Sequence, residues 1–447
     1  MTLPDLLQLQ QPLKEGGIRT VNFFNGRLLT SKDLSREQTA RHEADARLGL
    51  AIGDGVAFGL EVSRDGQSDQ PQAPVVRVRA GLAVNRKGQT LRLTDDTSVA
   101  LSRRFDAASS RCIFAACDPI TGGVYVAGAG IYLLTIAPAE LAEGRAPTNG
   151  LDQTNVRCNT DAVVEAVQFR LLAIDPLRYA DLDNVSMQFR NRLAYRCFGI
   201  EARQQSVVNP WRVDPPQYGL VDELRNVGLN DCEVPLALVY WTGAGLQFVD
   251  MWAVRRGLLH PDSLSGFSFQ RNPLKPEDLS SFAFLARTRR LVEAHAMCAQ
   301  FQQHLADLLA ARSDAAATVA TDFFRYLPPF GVVPLQSAPL RGFVDSTFFT
   351  GVVRRPLPSA NQDTQFIDGR LLGALREQAL ACAPTNVLEK EFIWVYRAWQ
   401  NVKAATEGQS VQRMVVFANG QMPDLATARF DMARADFSNY ASCCGSS

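Results

Sequence analysis

Short apolar runs recur along much of this 447-residue chain, some alternating with polar residues as at 75–79 and others nearly continuous, which is the pattern of half-buried and buried strands. Two segments depart from it. Residues 31–50 have the composition of a helix that is polar on nearly all sides, and residues 276–312 form a helix with apolar residues every seven positions. The pattern predicts an α+β, β-dominated fold. It would hold an antiparallel β-sandwich or barrel-like domain and a second β-containing domain with the long helix.

Turn residues divide the strand-like segments from one another. Gly, Asn and Pro separate short runs rich in Val, Leu and aromatic residues, and 75–93 and 234–254 are each predicted to form a hairpin. The Pro-Pro pair within 322–335 favours an extended chain outside any central strand. Segment 392–402 fits a strand or a helix. Strands are predicted at 56–62, 75–79, 81–84, 90–93, 112–117, 131–136, 163–174, 234–241, 246–254 and 411–417, and further helices at 189–198 and 367–382.

The length of the chain predicts several domains. The punctuation by Gly, Pro and Asp favours boundaries near residues 52, 175, 232 and 425. The predicted parts are an arm, hook and polar helix at 1–52, a β-rich domain at 53–175, an irregular connection at 176–232, an α+β domain at 233–425 with its long helix at 276–312, and a tail at 426–447.

The segment 21–30, with the sequence VNFFNGRLLT, predicts an aromatic hook in front of a helix. Asn25-Gly26 is a strong turn signal, and Thr30 with Asp33 forms a capping-box-like helix start. A helix with so thin an apolar stripe either contacts a partner or stands at a domain edge. We therefore predict a partner-binding segment that includes Phe23, Phe24, Asn25, Arg27, Leu34 and Arg41.

The long helix has an apolar seam with two interpretations. Phe284, Leu291, Cys298 and Leu305 recur every seven residues, and Ala294, Phe301 and Leu308 lie three positions further on. Such a seam fits a coiled coil with a second copy of the chain, and it fits packing on a β domain of the same chain.

Composition and charge narrow the classes of function. The chain has 46 basic and 46 acidic residues and 46% apolar residues, which indicates a globular protein and argues against a nucleic-acid partner. Nine scattered cysteines without a Cys-x-x-Cys pair suggest free thiols in a reducing cytoplasm. Neither a secretory signal nor membrane insertion is expected, because the first residues lack a basic stretch with a long apolar core and no apolar run reaches the length of a spanning helix.

Motifs for catalysis or cofactor binding do not stand out, so no catalytic residue, cofactor or metal is predicted and the chain is not expected to be an enzyme. The Gly-x-Gly runs at 128–130 and 243–245 lack the rest of a nucleotide-binding motif. Asp181 and Asp183 could form a calcium loop, although no EF-hand pattern follows. The paired arginines at 255–256, 289–290 and 354–355 fit an anionic docking surface or solvated element ends.

Several short segments carry a family resemblance through their order and spacing. They are 22–29, 33–34, 37–38, 54–56, 59–62, 80–84, 88, 234–237, 255–256, 324–329, 331 and 334. Together they resemble a family of uncharacterised structural proteins of contractile injection systems and related phage-tail-like particles. The resemblance implies a baseplate-associated or fibre-associated subunit without catalytic residues, whose expected partners are baseplate, sheath or fibre proteins and further copies of the chain.

The leading hypothesis is a non-enzymatic assembly subunit, made in the cytoplasm and built into a particle that acts outside the cell or at a membrane. A carbohydrate-binding or receptor-binding module is the first alternative. Exposed Trp and Tyr side chains clustered in a groove would favour it. A hydrolase with dispersed carboxylates is the second alternative, because such acids need not be close in sequence.

Overall fold

The computed structural model describes a large part of the chain, and its folded residues form an α+β structure dominated by antiparallel sheets. The predicted fold class is confirmed, and the described strands form open sheets rather than a closed barrel. The predicted strand at 112–117 and the calcium candidate Asp181/Asp183 lie outside the described residues. These are 17–66, 74–101, 130–147, 158–175, 186–199, 219–225, 228–258, 276–336, 341–354, 365–368, 372–380, 382–399 and 414–419.

The first half of the chain begins with a helix and continues mainly as strands. Helix α1 is followed by six short strands and then by two long ones, and two further helices end this half. Their bounds are α1 Ser31–Ile52, β1 Gly55–Gly59, β2 Val62–Arg64, β3 Val75–Val78, β4 Gly81–Val84, β5 Thr90–Leu93, β6 Thr97–Ala100, β7 Gly130–Pro147, β8 Cys158–Ile174, α2 Phe189–Phe198 and α3 Leu220–Arg225.

The second half opens with a hairpin and then the long helix. Segment 392–402, which fits either class by sequence, contains a strand. The bounds are β9 Val234–Thr242, β10 Gly245–Asp250, α4 Pro276–Ala311, α5 Ala320–Phe323, β11 Tyr326–Leu327, β12 Phe330–Pro334, α6 Asp345–Phe348, β13 Val353–Arg354, β14 Gln365–Asp368, α7 Leu372–Ala379, β15 Thr385–Asn386, β16 Phe392–Trp399 and β17 Met414–Ala418.

The two small sheets near the N-terminus differ from the sequence prediction. The predicted strand 56–62 is interrupted at Leu60, which has a φ of 56°, so its two parts enter different sheets. The hairpin predicted over 75–93 is correct only for β4 and β5. Strand β3 instead pairs with β2 and β6, because the chain changes sheet between Val78 and Gly81.

A four-stranded sheet with the order β10-β9-β7-β8 forms the middle layer. Adjacent residues on a strand point to opposite faces, and both faces of this sheet are apolar. Leu133 packs in a core with helix α2 and the neighbouring helices, and Leu134 packs in a second core with the small sheets. Strand β9 follows the predicted connection 176–232 in sequence, and β7 precedes that connection. The two strands nevertheless pair with each other.

Helix α4 packs on the C-terminal sheet, whose order is β12-β17-β16-β13 with β14 also paired to β16. The seam residues Cys298, Phe301 and Leu305 are buried against this part of the same chain. The described half of the seam is therefore used for packing within the protein. The side chains of Phe284 and Leu291 lie outside the described residues. Strand β12 lies at a sheet edge, as its Pro334 requires.

A buried ionic network joins three of these elements. The Arg190 Nε of helix α2 donates to Asp250 Oδ2 over 2.9 Å, and Gln300 Nε2 of helix α4 donates to the same oxygen over 2.8 Å. Asp250 is fully buried, and Arg190 is 7% exposed. The Arg190 NH1 also donates to Asp307 Oδ2 over 2.6 Å. Burial lowers the pKa of Arg190, but the two carboxylates more than offset this and raise it.

The described cysteines include both free thiols and disulfide-bonded residues. Cys197 and Cys298 are free and buried, and burial raises the pKa of each thiol to about 12, which makes both unreactive. Cys232 and Cys382 are disulfide-bonded. The expectation of free thiols is therefore wrong at these two positions, because spacing in the sequence does not show which sulfurs meet in the fold. None of the described helices is long and apolar enough to cross a bilayer.

Candidate docking segment

The hook before helix α1 is a tight turn held by one arginine. The Arg27 N–H donates to the Phe24 carbonyl over 3.2 Å, and Gly26 has a φ of 90°, as a turn of this kind requires. The Arg27 guanidinium donates to the Asn22 carbonyl over 2.7 Å and to Asp33 Oδ1 over 2.6 Å. It also lies 6.0 Å from the centre of the Phe24 ring. Arg27 therefore ties the hook to the first turn of the helix.

Helix α1 begins with the predicted capping box. The Asp33 N–H donates to Thr30 Oγ1 over 3.3 Å, and the Thr30 N–H donates to Asp33 Oδ2 over 3.1 Å. The Thr30 hydroxyl also donates to Asp33 Oδ2, over 2.7 Å. These hydrogen bonds from Thr30, together with Arg27, lower the pKa of Asp33 to about 2.

The start of helix α1 is expected to loosen in acid. Because the pKa of Asp33 is lower in the folded protein, its stabilising effect is complete above the ordinary value of 3.8 and is lost as the pH falls towards about 2. NMR titration should place the pKa of Asp33 near 2 in the wild type and closer to 3.8 in a Thr30→Ala variant. Asp45→Asn, further along the same helix, should leave the Asp33 titration unchanged. An unchanged Asp33 titration in Thr30→Ala would show that the capping box is not its cause.

Helix α1 buries very little of its surface. Only Ala40 and Gly49 are buried along its 22 residues. The preceding chain lies against it, since Val21 is buried and its N–H donates to Glu37 Oε2 over 3.3 Å. A helix of this length is about 33 Å long, and most of that length presents side chains to solvent.

The polar surface of this segment also contains many exposed large apolar side chains. Eight of the sixteen large apolar side chains that the described part of the chain exposes lie between residues 23 and 52. Leu34, Arg41, Leu48 and Ile52 fall within about 40° of one another around the helix axis. They form one exposed stripe, and the hook adds further apolar surface at the helix start. The eight are Phe23, Phe24, Leu28, Leu29, Leu34, Leu48, Leu50 and Ile52.

The C-terminal end of helix α1 is fixed to the protein by a close contact between two glycines. A Cβ added to Gly49 would overlap the carbonyl oxygen of Gly88, and a Cβ added to Gly88 would overlap the carbonyl oxygen of Ala46. Gly88 lies in the turn between β4 and β5 and has a φ of 79°. The backbones of helix and turn touch only because both residues lack side chains.

Gly88→Ala is expected to push helix α1 away from the β4–β5 turn. The added methyl group meets backbone atoms, so we expect a loss of about 1–3 kcal/mol in the free energy of unfolding and faster hydrogen exchange at the end of α1. Gly26→Ala is the matched control, because Gly26 also has a positive φ but has no atom near its added Cβ. Equal urea unfolding curves for the two variants would show that strain at φ alone explains the effect.

A group of charged residues supports the same attachment. Arg86, next to the glycine contact, pairs with Asp54 over 3.5 Å and with Asp222 of α3 over 3.0 Å. Burial raises the pKa of Asp54, and burial lowers the pKa of nearby Arg225 to about 10. These residues line a small cavity between the first sheet and α3. The ion pair with Asp54 orients the start of β1 and, through it, the C-terminal end of helix α1.

No protein-family model matches the chain, and no curated protein matches it. Among solved structures, it is similar to the crystal structure of TssK. The two share 10% sequence identity with a TM-score of 0.24, and the match covers 73% of this chain. The chain spans 65% of the length of that TssK chain. At this TM-score the similarity carries no argument about function.

Five of the six predicted binding residues are exposed, and the sixth is half-buried. Phe23, Phe24 and Asn25 in the hook, and Leu34 and Arg41 on the helix, are exposed. Arg27 is half-buried and engaged within the hook, so it positions its neighbours.

Leu28, Leu29, Leu48 and Ile52 are also exposed, although they are not among the six predicted binding residues. Helical spacing from Leu34 would have placed Leu48 and Ile52 on the same stripe. Partner binding by the segment stays a prediction.

Proposed function

We propose that this protein is a non-catalytic assembly subunit of a contractile injection system or phage-tail-like particle, and that segment 17–52 docks it on another structural protein. The observation that carries the proposal is a helix that is firmly attached at one end yet leaves an apolar stripe uncovered. Patches of this kind on soluble proteins mark interaction surfaces. Because the capping box orders the start of the helix and the glycine contact fixes its C-terminal end to the protein, little ordering cost accompanies binding.

The charges of the segment define the partner surface that fits it. Residues 17–52 carry six cationic and four anionic side chains, and both Arg41 and Asp45 lie on the face of the stripe between Leu34 and Leu48. A complementary surface is an apolar groove for a helix, and this groove holds a cation opposite Asp45 and carries carboxylates opposite the more numerous basic residues. The partner in this proposal is therefore a protein, rather than a nucleic acid or a lipid bilayer.

The resemblance of the sequence to particle proteins supports a structural partner, such as a baseplate or fibre component. Carbohydrate binding has no specific support among the described residues, because every Trp and Tyr whose burial is described is buried or half-buried. A stacking platform for a sugar ring is therefore missing from that part of the chain. The described residues also contain no group of three or more metal-ligand side chains.

The proposal is tested by isolating the tagged protein from its own cells under gentle conditions. Mass spectrometry of the material, with electron microscopy of the same fraction, should find sheath, tube or baseplate proteins and particles. A version that lacks residues 1–52 is the control, and it should lose these proteins while it remains folded by circular dichroism. A lone protein in both preparations would overturn the proposal, and glycan arrays would then test the binding-module alternative.

A further inference from the structure

The β7–β8 hairpin continues far beyond the sheet that contains it. Strand β9 pairs with β7 only as far as Ile136, whereas β7 and β8 remain paired from Ile131/Ile174 to Pro147/Cys158. The part beyond β9, residues 137–147 with 158–168, is called the ribbon below. It is a two-stranded structure, and two strands alone are marginally stable in water.

The two edges of the ribbon are not equivalent. On the β7 edge, Pro138 and Pro147 lack an N–H, and Gly144 has a φ of 68°, at an irregularity opposite Asp161. These features discourage pairing with another strand. Strand β8 contains no proline or glycine, and no strand in the described part of the chain pairs with its outer edge. Its N–H and C=O groups are therefore placed to receive a further strand.

The side chains along this edge separate by face. Leu141 pairs directly with Val164, so both lie on one face, where Ala162 and Ala166 flank Val164 along β8 and the only acidic side chain of the ribbon is Glu143 of β7, opposite Ala162. Leu141 is 57% exposed and Val164 is 40% exposed. Residues 160–165, near the tip of the ribbon, are all exposed. None of the described residues therefore covers this face there.

The opposite face is acidic. Asp161 and Glu165 lie on it at alternate positions of β8, with Val163 between them. Glu165 stands directly opposite Glu140 of β7, and like charges in such a pair repel each other. Glu165 and Val167 also border an open groove between the ribbon and the β1-β4-β5 sheet, beside the exposed ring of Phe58.

We propose that the outer edge of β8 over residues 160–168 binds an extended segment of a partner protein in which apolar and basic residues alternate. Such a segment adds as a strand through backbone hydrogen bonds. Its apolar side chains lie beside Ala162, Val164 and Ala166, and its Lys or Arg side chains lie beside Asp161 and Glu165. A second ribbon is the poorer occupant, because the ribbon carries four acidic side chains and one basic one, so two copies repel.

Synthetic peptides long enough to span 160–168 test this interaction with the full-length protein. The probes are an alternating Lys/Val peptide, an alternating Glu/Val peptide, and a peptide with the Lys/Val composition in two blocks. Fluorescence anisotropy should show binding of the alternating Lys/Val peptide, with the other two about tenfold or more weaker. Hydrogen exchange should slow at 160–168 on binding.

Charge reversal provides the decisive variant. In an Asp161→Lys/Glu165→Lys protein, both substitutions lie at exposed positions, so the fold is expected to persist and circular dichroism checks it. This variant should prefer the alternating Glu/Val peptide over the Lys/Val peptide. An unchanged preference would overturn the proposal, as would equal binding of all three peptides by the wild type. Wild-type protein that binds no peptide but dimerises through the ribbon would overturn it in favour of a second copy.

Discussion

Replacing Leu34 and Leu48 by aspartate is expected to remove most of the affinity for the partner protein without unfolding the chain. Both side chains are more than half exposed and lie on the same stripe of helix α1. Burying an unpaired carboxylate in an apolar groove is costly, and we expect about 2 kcal/mol for each position, roughly 30-fold in affinity. Isothermal titration with the co-purified partner measures the change.

The matched control for this pair is Leu388→Asp. Leu388 is 58% exposed but lies in the C-terminal part of the protein, far along the chain from the hook. The control should bind as the wild type does, and all variants should keep their free energy of unfolding within about 0.5 kcal/mol. Wild-type affinity in the Leu34→Asp/Leu48→Asp protein would show that the stripe does not contact the partner.

The largest loss of stability is expected from Asp250→Ala. Asp250 is fully buried and accepts hydrogen bonds from Arg190, Gln300 and the Ala253 N–H. Its removal leaves the buried guanidinium of Arg190 without its main counter-charge, and we expect a loss of about 3–5 kcal/mol in the free energy of unfolding. Urea unfolding followed by circular dichroism gives this value.

Two further variants separate burial from charge pairing. Asp307 binds the same arginine over 2.6 Å but its side chain is 53% exposed, so Asp307→Ala should cost about 1 kcal/mol or less. Arg190→Met combined with Asp250→Leu removes both buried charges and should recover much of the stability lost in Asp250→Ala. If Asp250→Ala and Asp307→Ala cost the same, burial is not what makes the network important.

The start of helix α1 was predictable because its determinants are local. The turn at Asn25-Gly26 and the reciprocal bonding of Thr30 with Asp33 involve residues at most three positions apart. The weak burial of the helix was also visible in its polar composition. The contacts of Arg27 with Asn22 and Asp33 could not be predicted in the same way. They depend on the path of the hook, which the turn signal alone does not define.

Other features depend on tertiary contacts. Within the β7–β8 hairpin the sequence predicts only the parts 131–136 and 163–174. The continuation Ala-Glu-Leu-Ala-Glu at 139–143 consists of good helix formers and gives no strand signal. Pairing with β8 holds it in a strand instead. Likewise, Arg190 and Asp250 are 60 residues apart in sequence, so no local pattern could place them together.

Hydrogen exchange of segment 17–52, compared between the native assembly and the purified protein, tests the docking of this segment most directly. If α1 and the hook form the interface, amides in 31–48 should exchange markedly more slowly in the assembly, while those of buried strand β9 should not change. If segment 17–52 exchanges equally fast in both states while another surface becomes protected, the protein is held by a different interface and the proposed docking is wrong.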